Sequence, residues 1–427
     1  DAHSFFHLDA PAASSPQIQA VYDQYDYDWQ HWPAGEGAPF EDVDGDGQYD
    51  PAVDFPGVPG ASQTIWLVAN DLPNADGTHV SPAFAGAPPI GIEMQMTLYA
   101  TQRWNLPAIN KVIFSDVRLI YTGLPDTPDS AHIDTMYISQ WADPDLGDFG
   151  DDLVGWDHNL DMGYVYDGSH SFVYPFSPEL PAVGHVLLEG PKAGGDTLRA
   201  TAFYGTWPIF TFGDIGEYVG SLQWFNLMEG FLSRPEYPTQ LPYENLQGDP
   251  VKFNLDGDPV TGTGFLDGIQ FSPGDRVYLI STGPFAMALG DTQEVTLALV
   301  GALGAGFPDN IVKLRESAVV AQIYNEDGLP PLDISGPQST YFPEHYALSA
   351  NYPNPFNPIT RIDYQVPVVS ILTLGVYNLL GQEIIRLVEQ HAHPPGSFSV
   401  VWNGHSWKGQ LVPAGVYFYR LEALPPY

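Results

Sequence analysis

The chain has 427 residues, with 52 acidic against 14 basic residues, a formal charge of −38 and no cysteine. It lacks the clustered Lys and Arg that a phosphate backbone requires, so nucleic acid is excluded as a partner, and an anionic membrane surface would repel it. Without thiols there are no disulfides, thiolate zinc sites or iron–sulfur clusters, and no apolar run reaches bilayer length, so no membrane span is expected.

Hydrophobic residues make up 44% of the chain, enough for a buried core, and 43 Gly and 41 Pro are spread among apolar runs. That pattern predicts many short strands joined by turns. Carboxylates at this density repel one another unless cations neutralise some of them. The chain opens at Asp1 with no basic–apolar leader, and is read as a mature chain after leader removal.

Residues 1–40 form an N-terminal arm without sustained periodicity, in which QIQAVYDQYDYDWQHW can make a short helix. A large β-rich region is expected over 41–326. It begins with DVDGDGQYDP, where Asp42, Asp44 and Asp46 take positions 1, 3 and 5 of an EF-hand-like loop. Gly47 falls where that loop turns sharply, the Gln48 carbonyl and Asp50 follow at ligand positions, and Val53 replaces the usual bidentate acid. Asp54 next door is the candidate substitute. Calcium takes about six to eight oxygens, and this spacing curls several around one point; a solvated acidic turn is the alternative.

Alternation in IGIEMQMTLYAT puts Ile92, Met94, Met96 and Leu98 on one face of a half-buried strand. KVIFSDVRLIYTG places Ile113, Val117, Leu119 and Tyr121 together, and HIDTMYISQW does so for Ile133, Tyr137 and Trp141. Further strands are expected at 63–69, 162–166, 184–189, 197–204, 275–282 and 292–301, separated by turns such as SPGD. Between them lies DPDLGDFGDDLVGWD, in which Asp143, Asp145, Asp148, Asp151 and Asp152 crowd a glycine-rich loop. Bound Ca2+ would relieve that repulsion; an exposed acidic loop and a hydrolytic carboxylate pair are the alternatives. NLDGDPVTGTGFLDG, with Asp256, Asp258 and Asp267, is a weaker candidate of the same kind or a polar hairpin.

A helix is expected at about 309–325, capped by Asp309 or Asn310, with Ile311, Leu314, Ala318 and Ala321 as its apolar stripe. A linker follows at 327–345. Residues 346–427 form a second small β-domain, with strands in RIDYQVP, ILTLGVYNLLG, SFSVVWNG and GVYFYRLEAL. His391 and His393, beside prolines, are read as an exposed loop. The fold class is thus mainly β: a large antiparallel β-sandwich with one linker helix, then a smaller sandwich.

The motifs YPNPFNPITRIDYQVP, VYNLLGQEI and VVWNGHSWKGQLVPAGVYFYRL occur in order and at matching spacing over 346–424. They resemble the Ig-like C-terminal sorting domain of type IX secretion substrates, similar to that of flagellar hook-capping proteins. The resemblance implies an Ig-like sandwich and export to the outer surface or medium of a Gram-negative-type bacterium. Members of that family continue into one more strand, whereas this sequence stops at Tyr427. The alternatives are a shortened chain, a cleaved strand, or a strand supplied by a neighbouring subunit at an open edge. WPAGEGAPFEDVDGDGQYDPAVD, PPIGIEMQ, WADPDLGDFGDDLVGWD and GDTQEVTLALV are similar to segments of large exported proteins carrying the same domain, which gives an address and no activity.

No phosphate loop, dinucleotide fingerprint, HExxH or GxSxG occurs. Trp104, Trp156, Trp207, Trp224, Trp402 and Trp407 could stack on sugars, although core packing is the commoner fate of Trp in β-proteins. The reading is a secreted or cell-surface structural protein, stabilised by calcium and not an enzyme, whose partners are copies of itself or other surface proteins. A glycan-binding or adhesive module and a secreted carboxylate hydrolase are the alternatives.

Overall fold

The computed structural model describes residues 16–72, 88–103, 108–168, 179–206, 218–233, 240–269, 272–328, 345–356, 358–368, 370–393 and 396–424. It contains α1 (Pro16–Gln30), β1 (Gln63–Asn70), β2 (Ile92–Ala100), β3 (Val112–Tyr121), β4 (His132–Ala142) and β5 (Asp152–Asp157). These are followed by β6 (Met162–Asp167), β7 (Leu180–Glu189), β8 (Ala202–Thr206), α2 (Tyr218–Met228), β9 (Val277–Ala288), β10 (Thr292–Gly304) and α3 (Asp309–Asp327).

A seven-stranded sheet runs β1-β2-β3-β10-β7-β6-β5, and a three-stranded sheet runs β8-β9-β4. All pairings are antiparallel. The two faces of the larger sheet explain why its central strands read as nearly continuous apolar runs. One face sends Val112, Phe114, Tyr164, Val186, Ala298 and Val300 against α3. The other sends Val154, Trp156 and Val165 against Phe203, Tyr278 and Ile280 of the smaller sheet. The layers are therefore helix, seven-stranded sheet and three-stranded sheet. Trp156 stacks between Phe203 and Phe253, with ring centroids 5.0 and 5.2 Å away, so its burial anchors the layer between the sheets.

The helix expected near 309–325 forms, and it does more than link. Its stripe Ile311, Leu314, Ala318 and Ala321 lies in the largest core cluster. The foreseen caps act differently: Asp309 accepts the Ala305 N–H at 2.8 Å, and the position before the helix is Pro308. Asn310 is fully buried and donates to the carbonyls of Asp167 (3.0 Å) and Pro181 (3.1 Å), pinning the helix start to β6 and β7. The short helix expected in the arm is α1. Helix α2 lay outside the sequence expectations; its Leu227 packs with Tyr243, Val277 and Leu279.

Face assignments needed correction where a strand is covered on both sides. In β2 the set Ile92, Met94, Met96 and Leu98 is only half-buried, while Gln95 on the opposite face is buried. Gln95 is held by the Glu36 carbonyl (3.2 Å), Glu93 (2.9 Å) and Arg118 (3.1 Å), so hydrogen bonds rather than apolar contact stabilise it there. In β3, Val112 and Phe114 face α3 while Ile113 is exposed.

The C-terminal part has β11 (Ala347–Leu348), β12 (Thr360–Val366), β13 (Ser370–Tyr377), β14 (Glu383–His393), β15 (Gly396–Trp402) and β16 (Phe418–Leu424). Sheets β11-β12-β15 and β14-β13-β16 enclose a core of Ile362, Tyr364, Val366, Leu372 and Leu374, with Tyr419 and Leu421 packed against it. The expected sandwich is thus present. His393 departs from the exposed-loop expectation: it ends β14, is buried, and shares a 2.9 Å hydrogen bond with the Tyr364 hydroxyl. Most of the expected linker, 329–344, and the arm's first residues, 1–15, lie outside the described residues.

Candidate functional site

The loop at 42–54 curls as its spacing predicts. Carboxylate oxygens of Asp42, Asp44 and Asp46 all lie within 4.8 Å of one another. Gly45 and Gly47 adopt φ of +75° and +76°, a region open to glycine and strained for most residues. Their N–H groups both donate to Asp42, each at 2.8 Å, which draws the loop around that side chain. The Asp44 pKa is raised, through desolvation first and then through the charges of Asp46, Asp54 and Asp42. The remaining predicted ligands sit differently. Asp54 is buried and accepts the N–H groups of Val43 (2.9 Å) and Asp50 (2.8 Å), so it staples the two ends of the loop. Asp50 accepts the Ala52 N–H at 2.9 Å, and the Gln48 N–H donates to Asp46 at 2.7 Å.

Helix α1 is fastened to this loop. The Tyr49 hydroxyl donates to the Trp29 carbonyl (2.7 Å), and the Trp29 indole N–H donates to the Pro51 carbonyl (3.1 Å). Trp29 also packs edge-on against Phe55, with centroids 5.9 Å apart.

The second acidic loop, 143–152, leads from β4 into β5. Of its residues, Asp143 and Asp145 converge, and their third partner is Asp275, with ligand atoms again within 4.8 Å of one another. Sequence reasoning missed Asp275, about 130 residues away; its only local signal was the SPGD turn. Desolvation, then Asp275 and Asp145, raise the pKa of Asp143. Asp148 accepts the Gly150 N–H at 2.9 Å and opens the short 3-10 helix Phe149–Asp151. Asp152 is fully buried at the start of β5, where one oxygen accepts the Leu146 N–H at 3.2 Å. Its other oxygen, Oδ1, has no hydrogen-bond partner. Burial pushes its pKa up to about 8; the Leu146 bond lowers it, and Asp151, Asp167 and Asp145 raise it further.

Among the described residues the third acidic turn gathers no metal-type cluster, and protein cations reach it instead. Arg276 and Asp267 form a buried pair at 2.6 Å, and Asp267 also accepts the N–H of Val154 (2.9 Å). Arg315 of α3 bridges Asp157 (2.9 Å) and Asp258 (3.0 Å). Burial raises the Asp258 pKa, but the Thr261 hydroxyl, Arg315 and the Val260 N–H outweigh it and leave the value lowered. His158 sits 3.4 Å from Asp256 and accepts the Trp156 indole N–H at 2.9 Å. Asp157, Asp258 and Asp267 are thus each matched by a guanidinium. The signal for their partners was a rare basic residue beside an apolar stripe, Arg315 after Leu314, or beside a turn acid, Arg276 after Asp275.

Of the six tryptophans singled out for sugar stacking, Trp156 and Trp402 are buried, Trp407 is 71% exposed with Lys408 over its ring, and Trp104 and Trp207 lie outside the described residues. Trp224 is partly buried against the Leu227 cluster. A cavity of about 370 Å³ lies beside Tyr204, Tyr243, Asn254 and Phe265. Two of its polar groups are spent internally: Asn254 bonds Gly205 through both amide atoms, each at 2.8 Å, and the Tyr243 hydroxyl donates to the Leu227 carbonyl at 2.7 Å.

No family model and no curated protein matches the sequence. Among solved structures the chain is similar to a polysaccharide lyase, at 8% identity and a TM-score of 0.19, over 78% of this chain and 32% of that one. A likeness at that score carries no argument about fold or activity.

Proposed function

We propose that this chain is an exported, non-catalytic structural protein of a bacterial surface, held rigid by calcium and assembling through open sheet edges. The convergence of Asp42, Asp44 and Asp46 carries the reading, since their oxygens meet with no ion-pair partner among the described residues. Calcium is the cation that suits a flexible loop offering several hard oxygens, and binding to the folded state alone adds stability. A clamped loop also keeps the Trp29 dock for α1 in place. Export rests on the resemblance of 346–424 to a sorting domain.

Assembly is supported by two edges. Strand β1 ends the seven-stranded sheet, with Ile65, Leu67 and Val68 exposed, and β16 ends a C-terminal sheet, with Phe418 and Leu424 exposed. Among the described residues nothing pairs with either outer edge, and such edges accept further strands. Size-exclusion chromatography and electron microscopy in millimolar calcium test the assembly; concentration-dependent oligomers are expected, and a strict monomer at high concentration contradicts it. Calorimetric titration of the EDTA-stripped chain tests the clamp separately: loss of calcium binding in Asp42→Asn is expected, and unchanged binding contradicts it.

A further inference from the structure

Strand β1 is an edge of unusual composition for so acidic a chain. Its eight residues, QTIWLVAN, include no charged residue and no proline, although the chain carries a formal charge of −38. Edge strands are ordinarily kept from pairing with other chains by charged side chains or proline. The acid that follows β1, Asp71, folds back on the start of β2, where its carboxylate accepts the N–H groups of Ile90 (2.6 Å), Gly91 (3.0 Å) and Ile92 (3.0 Å). The Asp71 N–H donates to the Ile92 carbonyl at 3.2 Å, in the register that pairs β1 with residues 93–100. Backbone groups alternate in direction along an antiparallel strand. Odd-numbered residues of β1 therefore turn theirs to β2, and Thr64, Trp66, Val68 and Asn70 turn theirs outward. Among the described residues nothing bonds to those outward groups.

We infer that β1 pairs antiparallel with β1 of a second copy, about a two-fold axis at Leu67. This rests on the proposed assembly through sheet edges and names its partner and register. Outward residues must meet outward residues, so even positions pair with even ones, and centring on Leu67 pairs the whole of 64–70. The opposed side chains suit one another. Trp66 meets Val68, an aromatic against a β-branched residue, Thr64 meets Asn70, Ile65 meets Ala69, and Leu67 meets its own copy. Asp71 falls opposite Gln63, so no like charges face each other along the seam. Centring on Val68 sets Asp71 against Ile65, and centring on Trp66 leaves Asn70 opposite Ser62, beyond the strand. Charge also selects the occupant. Two chains of this acidity repel wherever their carboxylates meet, and an uncharged strand lets them approach. A basic partner would be met by acids at the edge, and β1 offers none.

A chain without cysteine makes a single introduced thiol a clean reporter. Full-length Leu67→Cys, Ile65→Cys and Ala69→Cys variants are oxidised with diamide in millimolar calcium, and the covalent dimer is read on a non-reducing gel. On the axis the two positions 67 form a non-hydrogen-bonded pair with Cα atoms about 4.5 Å apart, within disulfide reach. The two positions 65, like the two positions 69, lie about 13 Å apart along the strands. Leu67→Cys should therefore crosslink about tenfold faster than either neighbour. Val68→Pro removes an outward N–H and no bond to β2, and should raise the dimer dissociation constant about thirtyfold in sedimentation velocity, with circular dichroism matching the parent. Crosslinking that peaks at 65 or 69, or is absent at all three positions, overturns the pairing. Oligomers in the parent that Val68→Pro leaves unchanged also overturn it, while assembly through another edge stands. A strictly monomeric parent removes both.

Discussion

Two groups of carboxylates in this chain face the same repulsion and meet it in opposite ways. Asp157, Asp258 and Asp267 are matched by two buried arginines: Arg276 pairs with Asp267, and Arg315 of helix α3 bridges Asp157 and Asp258. Asp42, Asp44, Asp46 and Asp143, Asp145, Asp275 converge with no ion-pair partner among the described residues. With only 14 basic residues against 52 acidic, two buried arginines match three of the interior acids, and the surface clusters are where the proposed calcium would act. On the proposed function, a permanently paired guanidinium serves the buried acids and an exchangeable ion would serve those at the surface.

The largest expected effect is on the arginine side. Arg276→Met leaves Asp267 buried and unmatched, and should cost about 3–5 kcal/mol in urea unfolding; a loss below about 1 kcal/mol would mean that the network is not what holds this region. On the loop side, chelation should lower the melting temperature. Calcium at about 100 times its dissociation constant contributes about 2.7 kcal/mol. Asp42→Asn should shrink that response and Arg276→Met should retain it; the reverse pattern breaks the comparison.

Acid separates the interior from both groups. Burial lowers the His185 pKa from 6.5 to about 4, and the ring shares a 2.7 Å hydrogen bond with the Tyr278 hydroxyl. The unfolded chain takes up this proton first, so the contribution of His185 is complete above about pH 6.5 and lost as pH falls toward 4. By pH 5 the loss should be on the order of 1–2 kcal/mol, and His185→Gln should flatten that slope in thermal melts; an unchanged slope assigns it elsewhere. The smallest effect concerns α1. Trp29→Ala removes the bond to Pro51 and the contact with Phe55, worth about 1 kcal/mol, and should speed amide exchange in α1 about fivefold. Unchanged exchange would show that the dock does not hold the helix.

Much of this was legible in the sequence. Alternating apolar residues announced β2, β3 and β4, and spacing alone curled Asp42, Asp44 and Asp46 around one point, because both are local properties of consecutive residues. What stayed hidden was non-local. Asp275 joins Asp143 and Asp145 only after β9 pairs with β4, and no window of sequence contains both segments. Gln95 lies opposite the apolar face of β2, and the Glu36 and Arg118 contacts that help bury it come from outside any local window. Strand β14 was missed because its charged and polar residues blur the alternation, and His393 was read from neighbouring prolines rather than from its bond to Tyr364. The weak acidic turn at 256–267 resembled a metal loop until Arg276 and Arg315 arrived from elsewhere in the fold.

The central claim is that ions from solution hold the unmatched carboxylates together. A crystal structure of the full chain grown in calcium tests it most directly. An ion is expected about 2.3–2.6 Å from oxygens of Asp42, Asp44 and Asp46. Side chains splayed into water around an empty centre, at calcium concentrations that saturate ordinary sites, would contradict it.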